Sequence, residues 1–285
     1  MGASIYLGKV LNSGTKGCNI VLTSTSTPAL LLDTYPNAAV AYSLRKLRTA
    51  YTGSAIRVRR SVDNAEQDIA FVGNDLDTSS LLAFCGAGNG FVTTWYDQSG
   101  NANNAIQSTA TSQAQVVLNG NLILDAITGK ITTTWTADSY TLTNLITTVQ
   151  LMYHYMVFNR TSNAQSVAGL SKTNNTLPTM LRWLATSGDI RSYINTAILH
   201  STNTSTGSNL ITTLRDSSNV VKMFRNNVAL TTGVSSNIGA TFNTWGNANG
   251  SLNFGNFAEL VHWNSDQEAN RTGIETNANT YWNAY

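Results

Sequence analysis

Charge is scarce in this chain. Of its 285 residues, 17 are Lys or Arg and 15 are Asp or Glu, which makes 11% charged, where a globular protein ordinarily carries about 25%. The net charge is +2, and the densest basic run, Arg57-Val58-Arg59-Arg60, is short. A nucleic-acid binder needs a clustered basic face, so that class is excluded. No apolar run approaches the roughly 20 residues of a membrane helix, so no membrane insertion is expected. Lys9, Gly14, Lys16 and Gly17 interrupt the stretch where a secretion signal needs continuous apolar residues, which predicts no leader. Cys18 and Cys85 are too few for a disulfide framework, and neither has the Cys or His neighbour that zinc requires. Two free thiols are the plain expectation, with a single Cys18–Cys85 bridge left open.

What replaces charge is neutral polarity. Ser, Thr and Asn recur throughout, as in Thr23-Ser24-Thr25-Ser26-Thr27, and hydrate the surface through hydroxyl and amide groups. With 42% hydrophobic and 9% aromatic residues, the chain has material for a large core, which excludes wholesale disorder. Residues 1–28 hold two short apolar stretches (Ile5, Tyr6, Leu7, Val10; then Ile20 and Leu22) followed by a Ser/Thr linker. This reads as a strand pair on a tether, too small to bury a core alone. An arm of this kind docks on its own domain or on a neighbour.

Pro36 followed by Val40, Leu44, Leu47 and Tyr51, at i, i+4, i+7 and i+11, predicts a helix closing at Gly53, with Arg45, Lys46 and Arg48 complementing the dipole at its end. From Ile56 to Trp263 the period is mostly two. Strands are predicted at Ile56–Arg59, Phe91–Tyr96, Gln115–Leu118, Tyr153–Phe158, Met180–Trp183, Val220–Phe224 and Phe257–Trp263. Many short strands without interleaved helices mean an antiparallel sandwich or barrel. At the end, Ser265-Asp266-Gln267-Glu268 matches a capping box, and Ile274, Ala278 and Tyr281 would face the sandwich. The aromatic tail Tyr281-Trp282-Asn283-Ala284-Tyr285 should pack.

Residues 33–117 carry a resemblance: Asp33-Thr34-Tyr35-Pro36, Ala41-Tyr42-Ser43-Leu44-Arg45, Ile56-Arg57-Val58-Arg59-Arg60, then Trp95-Tyr96-Asp97-Gln98-Ser99-Gly100-Asn101. In that order they resemble the catalytic-domain family of α-L-arabinofuranosidase B, glycoside hydrolase family 54, and the short bacterial and phage proteins that borrow it. Gly255-Asn256-Phe257-Ala258-Glu259-Leu260 followed by a helix is similar to their ending. The resemblance implies an all-β fold, a concanavalin A-like jelly-roll sandwich over residues 29–285, with a helix before it, a short C-terminal helix and the arm at 1–28 outside it.

A glycosidase of this kind needs two carboxyl groups flanking the scissile bond. By the resemblance, the nucleophile would fall within Val167–Trp183 and the acid near Trp245–Ser251, and neither run contains an Asp or Glu. The expectation is therefore no catalytic residue and no enzyme. Asp63, Glu66, Asp68, Asp75 and Asp77 offer oxygen ligands of the type Ca²⁺ takes but lack EF-hand spacing, so no metal or cofactor is expected. Asp97 should bond backbone amides in its turn. Glu259, inside an apolar strand, needs a buried partner such as Arg57 or Arg59. His154, His200 and His262 are read as satisfied or surface residues.

Two uses remain for a jelly roll without catalytic groups. One is a bacteriophage virion protein (head fibre, tail fibre or capsid decoration) anchored on other virion proteins through Ile5, Tyr6, Leu7, Val10, Ile20 and Leu22. The other is glycan binding, with Trp95, Trp183, Trp245 or Trp263 stacking on sugar rings and Asp97 and Gln98 bonding hydroxyls. The two can coincide in a displayed homo-oligomer, a trimer or dimer, holding host-surface glycans. An active arabinofuranosidase-like hydrolase, or a carbohydrate-binding module outside a virion, is the alternative.

Overall fold

The structure is a computed structural model that describes residues 29–285 apart from 161, 163–166, 173–178, 184–188, 195, 203–205, 236–238 and 247–253; for 179–183 and 254 it describes the backbone alone. The anchoring residues Ile5, Tyr6, Leu7, Val10, Ile20 and Leu22, and Cys18, lie outside the described residues.

Two long strands organise one layer. Strand Met152–Arg160 is buried at every residue, and Phe254–Trp263 pairs with it antiparallel from Tyr153↔Trp263 to Asn159↔Asn256. On its other side Met152–Arg160 pairs with Gly207–Arg215, which pairs with Val220–Arg225. The other edge of Phe254–Trp263 is shared. Val40–Ser43 takes its C-terminal half and Thr133–Thr136 its N-terminal half. Numbered in chain order, these strands and their neighbours are β1 (Val40–Ser43), β2 (Ile56–Arg60), β3 (Glu66–Ile69), β4 (Gly90–Trp95), β5 (Gln115–Leu118), β6 (Thr133–Thr136), β7 (Ser139–Thr148), β8 (Met152–Arg160), β9 (Gly207–Arg215), β10 (Val220–Arg225), β11 (Ala240–Gly246) and β12 (Phe254–Trp263).

The opposing layer is led by β7 and β11, paired from Ser139↔Gly246 to Thr148↔Ala240 around a bulge between Thr141 and Ile146. Leu170–Ser171 adds to β11, and the short strands Thr179–Trp183, Ile190–Tyr193 and Ala197–Ser201 follow it outward. Strand β4 joins the layers, since it pairs with β2, with β5 and with Ala105–Ile106, which in turn pairs with β7. The result is an all-β jelly-roll sandwich.

The core sits where the layers face. Trp245 of β11 stacks on Tyr42 of β1 at 5.5 Å and 10°, and meets Trp95 of β4 at 5.0 Å and Trp135 of β6 at 4.9 Å. All four are buried. Aromatic rings of this size dominate the burial that holds two sheets together.

Several local expectations are corrected. The helix predicted over 36–53 is absent: α1 is only Leu31–Thr34, and Val40–Ser43 is a strand. Its spacing imitated a helix because this strand is buried on both faces and Leu44 and Leu47 plug the loop behind it. Helix α2 (Thr78–Cys85) arises inside the stretch read as polar, started by Asp77, whose carboxylate accepts from Ser80 N at 3.0 Å. The capping box at 265–268 does not form: α3 spans Arg271–Trp282 behind a 3₁₀ turn at Glu268–Asn270, and Glu268 instead reaches Lys222 at 2.7 Å. Ile274 and Ala278 do bury against the sandwich, while Tyr281 is half-buried. Of the tail, Trp282 is buried and Tyr285 exposed. Cys85 is a buried thiol whose pKa is raised by burial.

A cleft beside the Asp97 turn, the candidate functional site

Strand β4 ends at Trp95, and the chain then folds back through Asp97-Gln98-Ser99-Gly100-Asn101. Asp97 works as a clamp. Its Oδ1 accepts from the amides of Ala41 and Ser99, both at 2.9 Å, and its Oδ2 accepts from Ser99 Oγ at 2.7 Å and Asn103 N at 3.1 Å. Burial raises its pKa in spite of these donors. Gln98 is also fully engaged: Oε1 accepts from Leu47 N at 2.8 Å, and Nε2 donates to the carbonyls of Ser43 and Arg45, both at 3.0 Å. Asn101 Nδ2 donates to Ala38 O and Ala39 O at 3.0 Å each. These short polar side chains take up the backbone groups that an irregular turn leaves unpaired.

The outside of this turn is one wall of an open cleft of about 590 Å³. Ser99 and Asn101 supply that wall, Pro36 to Ala39 a second, and Asn144 to Thr147 of β7 the third. Asn103 braces the floor, its Nδ2 donating to Asn144 O at 3.0 Å and its Oδ1 accepting from Asn144 N at 2.7 Å. Asn264 bonds Thr147 O through Nδ2 and accepts at Oδ1 from His262 Nε2 at 2.9 Å. That leaves Asn37, Asn144 and Thr147 as exposed polar side chains, and Leu145, 54% exposed, as an apolar surface among them. No carboxylate is among the described residues lining the cleft; its one charged residue is Arg48.

The two runs in which the resemblance expects catalytic carboxylates come together elsewhere. Leu170 pairs with Trp245, Ser171 with Thr244, and Ser171 Oγ donates to Gly246 O. Gly246 faces Ser139, the opposite end of β7 from the cleft. Asn144 lies five residues further on, about 17 Å at the rise of a strand. One carboxyl belongs to this end: Asp138, buried, accepts from Thr136 N at 2.7 Å and is pushed up to about 6 by that burial. Asp189 neighbours the same sheet and is engaged by Arg191.

Three of the four tryptophans expected as sugar platforms are closed inside the fold. Trp95, Trp245 and Trp263 are each 0% exposed. The first two form the inter-layer core, and Trp263 donates its indole N–H to Pro36 O at 3.0 Å. Sandwich layers need bulky rings between them, and these supply it. Trp183 has its side chain outside the described residues. Asp97 and Gln98 shape the cleft from behind, with their polar atoms already used. The residues reasoning from sequence missed, Arg48, Asn144 and Leu145, sit in a loop and at a bulged stretch of strand, where period-two patterning carries no signal.

The acids weighed as calcium ligands have other work. Asp63 pairs with Arg60, Glu66 and Asp68 with Arg57, Asp75 accepts from Tyr281 Oη, and Asp77 caps α2. Glu259 does have a buried partner, but it is Arg45 at 2.7 Å rather than Arg57 or Arg59. Arg45 therefore neutralises a buried carboxylate instead of complementing a helix end. The histidines are neither surface nor all satisfied: His154, His200 and His262 are buried, and neither ring nitrogen of His154 has a partner.

Comparison with known proteins agrees with this fold. Residues 33–165 match the family model described as Alpha-L-arabinofuranosidase B, catalytic. Among solved structures, the chain is similar to a GH54 a-l-arabinofuranosidase soaked with a cyclic sulfate inhibitor, with a TM-score of 0.63 and 16% identity over 87% of this chain and 63% of that one. It is also similar to an arabinofuranosidase complexed with arabinofuranosyl-alpha-1,2-xylobiose, with a TM-score of 0.53 and 14% identity over the same shares. The chain thus spans 63% of the length of these structures. No curated protein matches it. The family model matches residues 33–165, and the solved structures share the β-sandwich fold over 87% of this chain. Likeness of fold does not by itself transfer an activity.

Proposed function

We propose that this chain is a non-catalytic carbohydrate-binding jelly roll that takes a glycan in the cleft beside the Asp97 turn. The observation that carries the reading is the lining: exposed amides and a hydroxyl at Asn37, Asn144 and Thr147, beside the exposed Leu145, on a floor held rigid by Asp97, Gln98 and Asn103. Side-chain amides give and accept hydrogen bonds as sugar hydroxyls require, and an apolar side chain meets the C–H face of a ring. A rigid floor lowers the ordering cost of binding. In keeping with the phage proteins the sequence resembles, the domain would be displayed by a homo-oligomeric virion protein anchored on other virion proteins through residues 1–28. Host glycan, rather than nucleic acid or membrane, would be its outward partner, and no cofactor would take part.

Glycan-array screening followed by calorimetry tests the binding. The double variant Asn144→Ala/Leu145→Ser should weaken the best ligand by about 10-fold with an unchanged melting temperature, since both side chains are exposed. Unchanged affinity would remove the cleft from the reading. Hydrolysis of 4-nitrophenyl α-L-arabinofuranoside, lost on Asp138→Asn, would establish the enzymatic alternative, because Asp138 has the raised pKa a general acid needs. For the anchoring, a protein lacking residues 1–28 should fold and yet fail to enter particles.

A further inference from the structure

Arg48 stands apart from the other residues of the cleft. The Nη1/Nη2 edge of its guanidinium points at Gly100, whose φ is +103°, and leaves no room for a side chain there: a Cβ would come within 2.8 Å of Arg48 Nη1 and 3.0 Å of Nη2. One of its five N–H donors is used, Nη1 donating to Ser99 O at 3.0 Å. Its Nε is buried without a hydrogen-bond partner. Arg45, Arg57, Arg60, Arg191 and Arg271 all form ion pairs, and among the described residues Arg48 forms none. The nearby Asp97 has its oxygens occupied by the amides and hydroxyl of the turn.

Arg48 is among the residues lining the cleft, so a ligand that fills it meets this cation. A neutral sugar would take water from the guanidinium and return only hydroxyl contacts, which leaves a charge desolvated and unpaired. A carboxylate instead accepts from the unused Nη donors and restores the charge balance. We infer that the cleft selects a carboxylate-bearing sugar, a uronic or other acidic residue within a glycan, with Arg48 as the group that reads the acid.

This inference rests on the cleft being a glycan site, so the experiment separates the two. Carboxylated oligosaccharides, among them trigalacturonic acid, would each be titrated calorimetrically beside their own methyl esters, which keep the ring and lose the charge. At least one acid should bind about 10-fold or more tighter than its ester, and Arg48→Gln should erase that difference while the ester's affinity holds. Arg48→Lys, which keeps the charge but not the guanidinium, should retain only part of it. Thermal unfolding of each variant identifies any loss due to misfolding, and the acid-versus-ester comparison on the unaltered protein needs no variant. Esters binding as tightly as acids, or Arg48→Gln leaving the preference intact, would overturn the inference while the glycan reading stands. A sulfated oligosaccharide binding as tightly as the acid would overturn the choice of carboxylate. If no glycan binds at all, the reading and the inference fall together.

Discussion

Strand β12 carries two buried polar groups three residues apart, Glu259 and His262, and treats them oppositely. Glu259 points to the face covered by α3. Its Oε2 accepts from Arg45 Nε at 2.7 Å and Ser43 Oγ at 2.6 Å, its Oε1 from Arg45 Nη2 at 2.9 Å and from Tyr155 Oη. Arg45 Nη1 continues to Asn277 of α3 at 2.9 Å. His262 points to the other face, between the layers. It lies 6.0 Å from His154 and 5.7 Å from Phe242, with its Nδ1 unpartnered and both nitrogens of His154 unpartnered. The difference follows from charge. Burying an unpaired ion costs far more than burying an unpaired neutral imidazole, so the carboxylate is surrounded by donors while the histidines stay neutral and make do with packing. Burial alone would push Glu259 up, but the Arg45 guanidinium overrides it and holds the pKa low. Burial likewise opposes the charge of Arg45, and Glu259 raises it.

The largest effect is expected from breaking the charged face. Glu259→Leu leaves the Arg45 cation buried and unpaired and should cost about 3–5 kcal/mol of stability, read by urea unfolding. The double change Arg45→Met/Glu259→Leu removes both charges and should cost clearly less than the single one. A double variant as unstable as Glu259→Leu would mean that lost packing, not the orphaned charge, sets the penalty.

The histidine face should show itself in pH dependence. Burial, with His262 as a second cause, holds the folded-state pKa of His154 well below its ordinary value, and burial brings His262 down to about 4. The unfolded chain therefore takes up protons first as the pH falls through about 6.5. Stability is full above that value and declines below it, by about 3 kcal/mol for His262 alone between pH 6.5 and 4. Asp138, raised to about 6 by burial, runs the other way, since the folded state protonates it first and gains stability over part of the same window. Comparing His154→Phe with the unaltered protein cancels that contribution. The variant should lose less stability than the unaltered protein between pH 7 and 5, and parallel curves would show that His154 is not held neutral.

These two faces also mark how much could be read beforehand. The period-two runs were legible because each strand of a sandwich packs at least one face, and the predicted strands at Ile56, Gln115, Tyr153 and Val220 are there. The Asx role of Asp97 was legible because it is local, fixed within a few residues of its own turn. Pairings over long separations were not. Glu259 finds Arg45 across 214 residues, and the residues nearer to hand in a strand, Arg57 and Arg59, turn to solvent instead. The helix expected over 36–53 failed for a related reason, since β1 is buried on both faces and the sequence then loses its alternation. Nothing in the spacing of His154 and His262 announced that register would set them face to face.

The smallest effect should come from Arg57, one of the two arginines that the sequence offers Glu259. Arg57 Nε meets Glu66 at 2.7 Å and its Nη1 meets Asp68 at 3.5 Å, the same chemistry as Arg45 with Glu259, but its side chain is 41% exposed where that of Arg45 is 5%. Water and salt screen the pair, and two flexible side chains must be ordered to make it. Arg57→Ala should therefore change stability by no more than about 1 kcal/mol, and raising the salt concentration should shrink even that. Because β2 and β3 keep their backbone pairing from Ile56↔Ile69 to Arg59↔Glu66 without it, the edge should stay in register. Unfolding measurements on Arg57→Ala at low and at 1 M salt decide the matter. A loss approaching that of Glu259→Leu would show that burial is not what separates the two pairs.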